Sequence, residues 1–575
     1  MSADPIPAAA TRVRISFPRP EDHLLHVRVR TPDLEAGEHE FLMPVWTPGS
    51  YMVREFSRHV EGMAARSADG ADLCCTKVRK NRWRVDLDRP GSVELTYRVY
   101  CRDLTVRTNH VDERRAYWNG AAAYVVAAAR VEAPLAIEVD APAGWTAHCA
   151  LDERDGVFLA RDLDHAVDSP FVVGPLPVER FEACGREHRV VFDGVGADER
   201  RRLTEDTQRI VEAAATLFGG ELPYERYLMV LFADHVGSGG LEHADSSVLH
   251  VRRGSLRRKK ERLRVLDLIA HEHFHAWNVK RIRPADLARF AWDDEQYTRD
   301  LWLAEGFTTY YQEVVPYLAG LFGRQLFLDR LAENAHVVQQ VPGRALQSLS
   351  ESSFDAWIKL YRPDENTRNT TVSYYGKGAL VALCLDLRIQ AASGGAAGLD
   401  DVMRGLYRHY LEHGPGQPRA LVLELCEGAA GARLGDEFGA WIDGREDPPL
   451  EQLLEPFGLA LELPDGPLQA TLDVRCDLQG GRIEVSGVDR GGAGDALGLS
   501  PGDELVAIDG ERVLAGDFEK RLHEECEPGQ EVELLVFRRG LATTLRGRLG
   551  AHATGVARMR ETGEGRLVFR ARADG

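Results

Sequence analysis

The segment LDLIAHEHFHAWNVK, residues 266–280, decides how this chain is interpreted. It contains the pattern H-E-x-x-H at His271, Glu272 and His275. On a helix, side chains four residues apart lie on one face, so the two imidazoles can bind a single metal ion. Glu272 lies between them, where a carboxylate can act as a general base. Glycine and proline are absent from residues 256–283, which predicts one continuous helix through this motif.

A third ligand is expected from a second apolar segment, LWLAEGFTTYYQE, residues 301–313. Its Glu305 lies among aromatic and aliphatic neighbours, where a carboxylate is costly unless it is paired or bound to a cation. Three protein ligands with a water at the fourth position are typical of catalytic zinc. The sequence therefore predicts one zinc ion per chain on His271, His275 and Glu305, with His273 on another helix face in a supporting role. For H-E-x-x-H alone, an ordinary helix with a polar face is the alternative.

Two further motifs fit the same chemistry. In GGLEH, residues 239–243, the glycines Gly239 and Gly240 would let a substrate backbone approach closely. Glu242 would then meet a substrate amine, although a solvated loop carboxylate explains this residue alone equally well. In SYYGKG, residues 373–378, a tyrosine hydroxyl in front of an apolar helix could donate a hydrogen bond to a developing oxyanion. Tyrosines at such positions are more often packing residues.

The hydrophobic pattern changes along the chain. Short runs of alternating apolar and polar residues between 11 and 179 predict an all-β region, most simply a sandwich. Helical spacing dominates after residue 257, and glycine-punctuated strands with one short helix near Phe518 return after residue 467. We assign an N-terminal β domain to residues 1–179, a catalytic domain to 180–465, a small C-terminal domain to 466–552 and a tail to 553–575.

Length and charge restrict the functional classes. The 575 residues suggest three or four domains, and the net charge of -19 argues against a nucleic-acid partner. The basic run between Arg252 and Arg264 is interpreted as a solvated helix face. No apolar run is long enough to span a bilayer, and the first residues lack the pattern of a secretory signal. Together with nine scattered cysteines, this favours a cytoplasmic protein and leaves a periplasmic or secreted mature form open.

The four motifs HEHFHAWNVKRIRP, LWLAEGFTTYY, GGLEH and SYYGKG together resemble the glycyl aminopeptidase family of PDZ-containing bacterial metallopeptidases. Residues 43–60, MPVWTPGSYMVREFSRHV, are similar to the N-terminal β domain of that family, and residues 481–513 resemble a bacterial PDZ domain. The resemblance implies a multidomain α+β fold. Its parts are an N-terminal β-sandwich domain, a thermolysin-like, mostly α-helical catalytic domain and a C-terminal PDZ domain.

The resemblance also implies roles for individual residues of a gluzincin site. Zinc is expected on His271, His275 and Glu305, the general base is Glu272, the anchor for a free α-amine is Glu242, and the oxyanion donor is Tyr375. Tyr375 is preferred over Tyr374 because related aminopeptidases have Y-E-K-G where this chain has residues 375–378. His243 stands where those relatives have Asn. The longer gap between His275 and Glu305 suggests that the loop with Arg281, Arg283 and Pro284 helps to shape the pocket.

The function implied is a zinc-dependent aminopeptidase that removes an N-terminal glycine or alanine with water activated by the metal. The expected partners are peptides with a free N-terminus, with a peptide C-terminus as the ligand of the PDZ domain and with neither nucleic acid nor a membrane involved. A zinc endopeptidase with the same ligands is one alternative. The other is a scaffold whose PDZ domain binds peptides around a weak catalytic core, which the complete set of predicted ligands makes less favourable.

Overall fold

The computed structural model describes residues 6–237, 239–563, 565–567 and 569. An N-terminal β-rich domain is followed by a mostly helical region and by a smaller region of strands and short helices. The chain is therefore a multidomain protein with both α and β structure, as the sequence predicts.

Three sheets surround one core in the N-terminal β domain. The strand Thr11–Ser16 alternates buried and exposed residues, because successive side chains of a strand point to opposite faces. The eight-stranded sheet has the spatial order Asp152–Arg154, Val157–Ala160, Leu135–Asp140, Thr11–Ser16, Leu24–Leu34, Gly91–Tyr100, Val60–Ser67, Asp72–Leu73. One four-stranded sheet has the order Thr146–His148, Phe171–Gly174, Arg115–Trp118, His110–Asp112. The other has the order Val126–Ala127, Gly37–Leu42, Arg82–Leu87, Cys75–Arg79. Short helical turns lie at Pro20–Asp22, Phe56–His59, Gly120–Ala122, Ala128–Arg130 and Leu163–Val167.

A five-stranded sheet begins the catalytic region. Its order is Val178–Ala183, Arg186–Asp193, Arg226–Asp234, Ser246–Arg252, Gly240–Glu242. The three inner strands are parallel, and the last strand, Gly240–Glu242, runs antiparallel to its neighbour at the edge of the sheet. We call Gly240–Glu242 the edge strand. Because it has a neighbour on one side only, its other side can receive an extended peptide.

Helices form most of the rest of the catalytic region, and most of the motif residues lie on or next to three of these helical segments. The α-helices are Ala197–Leu217, Lys259–Phe274, Thr308–Leu318, Arg324–Gln339, Leu349–Phe354, Thr367–Thr370, Gly376–Ala392, Leu399–His413, Arg419–Ala430, Gly435–Phe438 and Leu450–Leu454. Turns of π-helix lie at Trp302–Phe307 and Gly439–Asp443, and short 3-10 turns lie at Arg253–Leu256, Ala285–Leu287, Pro342–Ala345, Asp355–Trp357 and Glu455–Phe457.

The helix that carries the H-E-x-x-H motif, Lys259–Phe274, is shorter than the continuous helix predicted from the sequence. It ends one residue before His275, and the chain then turns. The guanidinium of Arg281 donates to the carbonyl oxygens of Ala276 at 3.0 Å and Pro223 at 2.8 Å. These tertiary hydrogen bonds fix the turn although no glycine or proline marks it in the sequence.

The C-terminal region has its own core, which is formed by one sheet of short strands and by two helices. Its sheet has the order Val474–Gln479, Arg482–Val488, Glu504–Ile508, Glu531–Arg538, Leu541–Arg548, with Glu511–Arg512 beside Glu504–Ile508. The helices are Ala493–Leu497 and Phe518–Glu524.

Gly550–Ala553 pairs with Leu468–Thr471 and closes the C-terminal region. The chain then returns to the catalytic region, where Arg558–Glu561 pairs with Leu459–Glu462. Met559 and Phe569 are buried in the core of the catalytic region. Part of the segment assigned to a tail therefore belongs to a folded unit, while residues 564, 568 and 570–575 lie outside the described residues.

Two chain-wide features bear on the environment of the protein. Within the described residues, which include all nine cysteines, no disulfide is formed. Every described helix is either too short or too polar for a transmembrane span.

Candidate active site

The three predicted metal ligands meet in the core of the catalytic region. The Nε2 atoms of His271 and His275 lie 3.4 and 3.3 Å from Oε2 of Glu305. One ligand atom from each residue lies within 4.8 Å of the other two. The motif helix supplies the first imidazole, the turn that follows it supplies the second, and the π-helical turn Trp302–Phe307 supplies the carboxylate. Turns of this kind occur most often at functional sites.

Hydrogen bonds on the far side of each ring fix the orientation of both imidazoles. Nδ1 of His271 donates to Oε1 of Gln312 at 2.9 Å, and Nδ1 of His275 donates to the carbonyl oxygen of Asn278 at 2.5 Å. With Nδ1 protonated, a neutral imidazole has its lone pair on Nε2, the atom that faces Glu305. The side-chain amide of Asn278 also donates to the carbonyl oxygens of Leu303 and Ala304 at 2.9 and 3.1 Å. It therefore ties the turn of His275 to the turn of Glu305.

These residues suit a divalent metal ion. Oε2 of Glu305 is buried and accepts no hydrogen bond from the described residues, although two imidazoles face it. Burial alone would raise the pKa of Glu305, but the adjacent His275 and His271 outweigh it and hold that pKa at about 2. Two neutral imidazole nitrogens and one carboxylate oxygen form a donor set for catalytic zinc. The donor atoms therefore fit the metal that the sequence predicts.

Glu272 lies against the backbone of the edge strand. A Cβ atom at Gly240 would lie 2.2 Å from Oε1 of Glu272, so only glycine leaves room for this carboxylate. Burial raises the pKa of Glu272 to about 7, helped by the charges of Glu242 and Glu305 against the opposing effect of the two histidines. A bound divalent cation would favour the ionised carboxylate.

Glu242 reaches the same cluster from the edge strand. One of its carboxylate oxygens lies within 4.8 Å of the ligand atoms of Glu272 and His275. The side chain is 3% exposed, and Oε1 has no hydrogen-bond partner within the described residues. A Cβ atom at Gly49, which has φ +88°, would lie 2.3 Å from that oxygen. The segment 43–60 of the N-terminal domain therefore forms one wall of the site.

His243 anchors the end of the edge strand. Its Nδ1 lies 3.2 Å from Oδ1 of Asp168, and Nζ of Lys280 donates to the same oxygen at 2.8 Å. The charge of Lys280 and the hydrogen bond from His243 outweigh burial and keep the pKa of Asp168 well below its usual range. This network connects the N-terminal domain, the edge strand and the turn after the motif helix.

The two tyrosines before helix Gly376–Ala392 differ in environment. The ring of Tyr375 stacks beside His271 at a centroid distance of 6.3 Å and is half-buried. Tyr374 is 0% exposed, and its ring packs on Tyr375 at 4.7 Å. The hydroxyl of Tyr361, which sequence reasoning missed, donates to the carbonyl oxygen of Gly49 at 3.3 Å and interacts with Tyr375. Burial raises the pKa of Tyr375 far above its ordinary value, so the hydroxyl keeps its proton.

A contact between two glycines brings Glu305 and Tyr375 together. A Cβ atom at Gly306 would lie 2.5 Å from Cα of Gly378, and one at Gly378 would lie 2.8 Å from Cα of Gly306. The π-helical turn and the helix Gly376–Ala392 therefore touch backbone to backbone. Gly306 directly follows Glu305, and Gly378 lies three residues after Tyr375. Both glycines are visible in the sequence, but only the backbone contact explains why glycine is needed there.

The other histidine and the arginine loop have different positions. Nε2 of His273 forms a 2.6 Å hydrogen bond with the hydroxyl of Tyr224, away from the metal ligands. Arg281 points behind the site and pairs with Asp245 at 2.7 Å. Arg283, by contrast, lines a small cavity next to Gly49.

Comparisons with known proteins agree with this site. Two family models match the chain, the Peptidase M61 N-terminal domain over residues 12–175 and the M61 glycyl aminopeptidase over residues 264–381. The second range contains the H-E-x-x-H motif, the π-helical turn and both tyrosines. No curated protein matches the chain in sequence.

Solved structures extend the likeness to nearly the whole chain. The crystal structure of an aminopeptidase N family protein from Idiomarina loihiensis has a TM-score of 0.91 at 28% identity, covering 96% of this chain and 98% of that chain. An M1 zinc metallopeptidase from Deinococcus radiodurans has a TM-score of 0.48 at 19% identity, covering 77% of this chain and 95% of that chain. The family models and the first of these structures lead to one conclusion: the chain is a metallopeptidase that is similar to the M61 glycyl aminopeptidases.

Proposed function

We propose that the protein is a zinc-dependent aminopeptidase that hydrolyses an N-terminal glycine or alanine from peptides. The observation that carries this proposal is the position of Glu242. Its unpaired carboxylate oxygen lies in one buried cluster with Glu272 and His275. A substrate amine bound there would lie about one residue away from the metal ligands, which limits hydrolysis to the first peptide bond.

The catalytic centre is formed by His271, His275 and Glu305, which would hold one zinc ion per chain. When bound, zinc supplies a Lewis acid that polarises the scissile carbonyl group and lowers the pKa of water. Glu272 takes the proton from the attacking water and passes it to the nitrogen of the leaving amine. The contact with Gly240 holds the Glu272 carboxylate on the side of the edge strand, where an extended peptide would lie.

Tyr375 is proposed as the donor to the oxyanion that develops on the scissile carbonyl oxygen. Its raised pKa keeps the hydroxyl protonated, and its ring lies beside the ligand His271. Tyr374 is the alternative, but it is completely buried behind Tyr375. A donor of this kind stabilises the transition state more than the ground state.

The space next to Glu242 supports a small first residue. The cavity between Gly49, Tyr51 and Arg283 has a volume of about 10 Å³. That volume is about what one water molecule needs. Gly49, against which Glu242 packs, also lines this cavity, and we propose that the side chain of the first residue points toward it. Glycine and alanine fit such a space, whereas larger side chains would require the wall to move.

The proposal is tested with matched peptides that carry a free or an acetylated N-terminus. A free α-amine is largely cationic at neutral pH, and a hydrogen bond from it to a carboxylate is worth about 1.5–3 kcal/mol. Glu242→Ala should therefore lower kcat/KM on free peptides by roughly one to two orders of magnitude and leave the zinc content unchanged. Glu205→Ala, at an exposed position on the helix Ala197–Leu217, is the control.

An endopeptidase would behave differently in the same experiment. The wild type would then cleave acetylated peptides as well as free ones, and Glu242→Ala would impair both equally. That result would assign Glu242 a structural role and replace the aminopeptidase proposal.

Apart from the tail, part of which pairs with the catalytic region, the domain assignments of the sequence analysis are kept as part of the proposal, with residues 466–552 as a PDZ domain. In the loop at 491–494, backbone amides already donate to carboxylates, Gly491 to Asp495 and Ala493 to Asp473, both at 2.9 Å. This favours a domain that docks on the catalytic region over one that captures a peptide C-terminus. Binding of fluorescent peptides with free and amidated C-termini distinguishes the two roles, because capture requires the free carboxylate.

A further inference from the structure

Arg107 of the N-terminal domain lies over the edge strand. Its Nη2 donates to the carbonyl oxygen of Gly240 at 3.2 Å, and its Nη1 would lie 3.9 Å from a Cβ atom at Gly239. Nε of Arg107 is buried and has no hydrogen-bond partner in the described part of the chain. The guanidinium also lies close to Tyr361, which interacts with Tyr375. A positive charge therefore stands at the rim of the catalytic centre.

A second guanidinium, that of Arg54, accompanies it. Nη2 of Arg54 donates to Oγ of Ser50 at 2.7 Å, and in the described residues neither arginine forms an ion pair with a carboxylate. Burial lowers the pKa of Arg54 to about 10, and the nearby charge of Arg107 contributes to this shift. Two half-buried like charges that lack a counter-ion are unfavourable in a protein whose net charge is -19. An anionic ligand would relieve that cost.

Arg54 also lines a cavity of about 690 Å³, most of whose wall belongs to the N-terminal domain. Arg362, which directly follows Tyr361 in the chain, contributes from the catalytic side. The wall of this cavity contains the arginines Arg54, Arg58, Arg102 and Arg362 and the carboxylates Glu55 and Asp103. Positive charge is therefore in excess in this cavity, which we call the arginine cavity.

The path of a bound peptide leads from the catalytic centre to these arginines. With its amine at Glu242, an extended peptide that follows the edge strand passes Glu272 and reaches Gly240 at the other end of the strand. An extended chain covers about 3.3 Å per residue, so the strand from Glu242 to Gly240 corresponds to about two substrate residues. The next groups of the peptide would meet Arg107 and then Arg54.

On the basis of the proposed function, we infer that Arg107 and Arg54 bind a carboxylate on the leaving-group side of the substrate, which makes the enzyme a peptidase for short peptides. The carboxylate is the free C-terminus of a peptide of two to four residues, because that length places it beside Gly239 and the mouth of the arginine cavity. An acidic side chain at the same distance is chemically equivalent. Arginine suits both because its planar group can bind a carboxylate through two parallel hydrogen bonds.

The experiment compares the tripeptide Gly-Ala-Ala as the free acid with its C-terminal amide, in the full-length, zinc-loaded protein. Released glycine is measured, and glycyl p-nitroanilide, which has no carboxylate, reports the state of the catalytic centre. For the wild type, kcat/KM should be about ten- to hundredfold higher for the acid than for the amide. This advantage should disappear for peptides of ten residues, whose C-terminus lies beyond the arginines.

Arg107→Gln, Arg54→Gln and the double variant test the assignment. The ratio of kcat/KM for acid over amide should fall toward one, with the larger part of the change in KM. Arg28→Gln, which removes one positive charge from a separate basic depression of the same domain, should keep the wild-type ratio. Peptide amides with Asp or Asn at the third position identify the source of the carboxylate. A higher rate for Asp assigns the site to side-chain carboxylates as well.

Two results would overturn the inference. One is a wild type that hydrolyses the glycyl reporter but treats acid and amide alike. The other is an Arg107→Gln variant that loses activity on acid, amide and reporter by the same factor, because Arg107 then only supports the backbone of Gly240. A wild type that cleaves neither the reporter nor any free peptide would refute the proposed function itself, a result distinct from both.

Discussion

Gly306→Ala tests whether the contact between the π-helical turn and the helix Gly376–Ala392 positions the catalytic groups. The added Cβ atom would lie 2.5 Å from Cα of Gly378, a backbone atom that cannot rotate away. Carbon atoms in contact prefer 3.5–4.0 Å, so the two segments must separate by about 1 Å. Glu305 precedes the first glycine directly and Tyr375 lies three residues before the second, so the separation would displace both.

The expected loss is large for activity and moderate for stability. A displacement of about 1 Å in a catalytic constellation costs roughly a hundredfold in rate, and an extra methyl group in a packed core costs about 1–3 kcal/mol. We therefore expect kcat/KM on a glycyl reporter to fall about a hundredfold and the melting temperature to fall by a few degrees. Zinc content should decrease only in part, because His271 and His275 are not moved.

Gly428→Ala is the matched control, since it is the same substitution inside the helix Arg419–Ala430 with no atom within 4 Å of the new Cβ. Alanine is the better helix former by about 1 kcal/mol, so this variant should melt slightly higher and keep full activity. Wild-type activity and melting temperature in Gly306→Ala would refute the reasoning, because the backbone contact would then have no influence on the site.

Four further variants separate the roles inside the site. Glu272→Gln should keep about one zinc per chain by elemental analysis yet lose nearly all hydrolysis, and activity above a few per cent would exclude Glu272 as the base. Glu305→Ala should lose the metal, because three ligands are needed to hold it; full occupancy would direct the search to another carboxylate. Tyr375→Phe should lower kcat with little change in KM, and Tyr374→Phe should do much less. The reverse ranking would transfer the oxyanion role to Tyr374.

Local sequence signals predict which helices and strands this fold contains better than they predict the residue at which each one ends. The alternation in segments such as residues 11–16 is visible because one face of each strand is buried in a common core. The end of the motif helix at Phe274 was not predictable, since it depends on Arg281 reaching the carbonyl oxygen of Pro223, far away in the chain. The return of strand Arg558–Glu561 to the catalytic region is non-local in the same way.

The chemistry of the site follows from the sequence only where one motif contains it. The H-E-x-x-H motif places His271 and Glu272 on one helix, and any helix formed by this segment would do the same. Asn278, which orients the second imidazole, lies in the turn that replaces the predicted helix, so its role requires the folded turn. Arg107 lies 133 residues before Gly240 and approaches it only because the two domains pack together. Motif spacing contains no information on such contacts.

Asn369 joins the catalytic region to the C-terminal domain. Its side-chain amide donates to the carbonyl oxygen of Val488 at 2.8 Å, and its Oδ1 accepts from the backbone amide of Arg490 at 2.8 Å. Arg368 adds an ion pair with Asp489 at 2.8 Å. The segment that makes these contacts leads, five residues later, into Tyr374 and Tyr375. The docked domain therefore restrains the chain just before the proposed oxyanion donor.

Asn369→Ala should weaken that restraint. The substitution leaves the two backbone partners of Asn369 without their hydrogen bonds, at a cost of about 1–3 kcal/mol for each one that stays out of water. We expect faster proteolysis within the exposed connection at residues 463–467, together with a lower kcat and an unchanged zinc content. Asn369→Asp keeps the acceptor for Arg490 but turns a carboxylate oxygen toward the carbonyl oxygen of Val488, so it should weaken the restraint at least as much as Asn369→Ala. If the connection is cut faster while kcat stays at the wild-type value, the C-terminal domain docks on the catalytic region without positioning Tyr375. Unchanged proteolysis would show that these hydrogen bonds do not hold the domains together, because ion pairs such as that of Arg368 would then suffice.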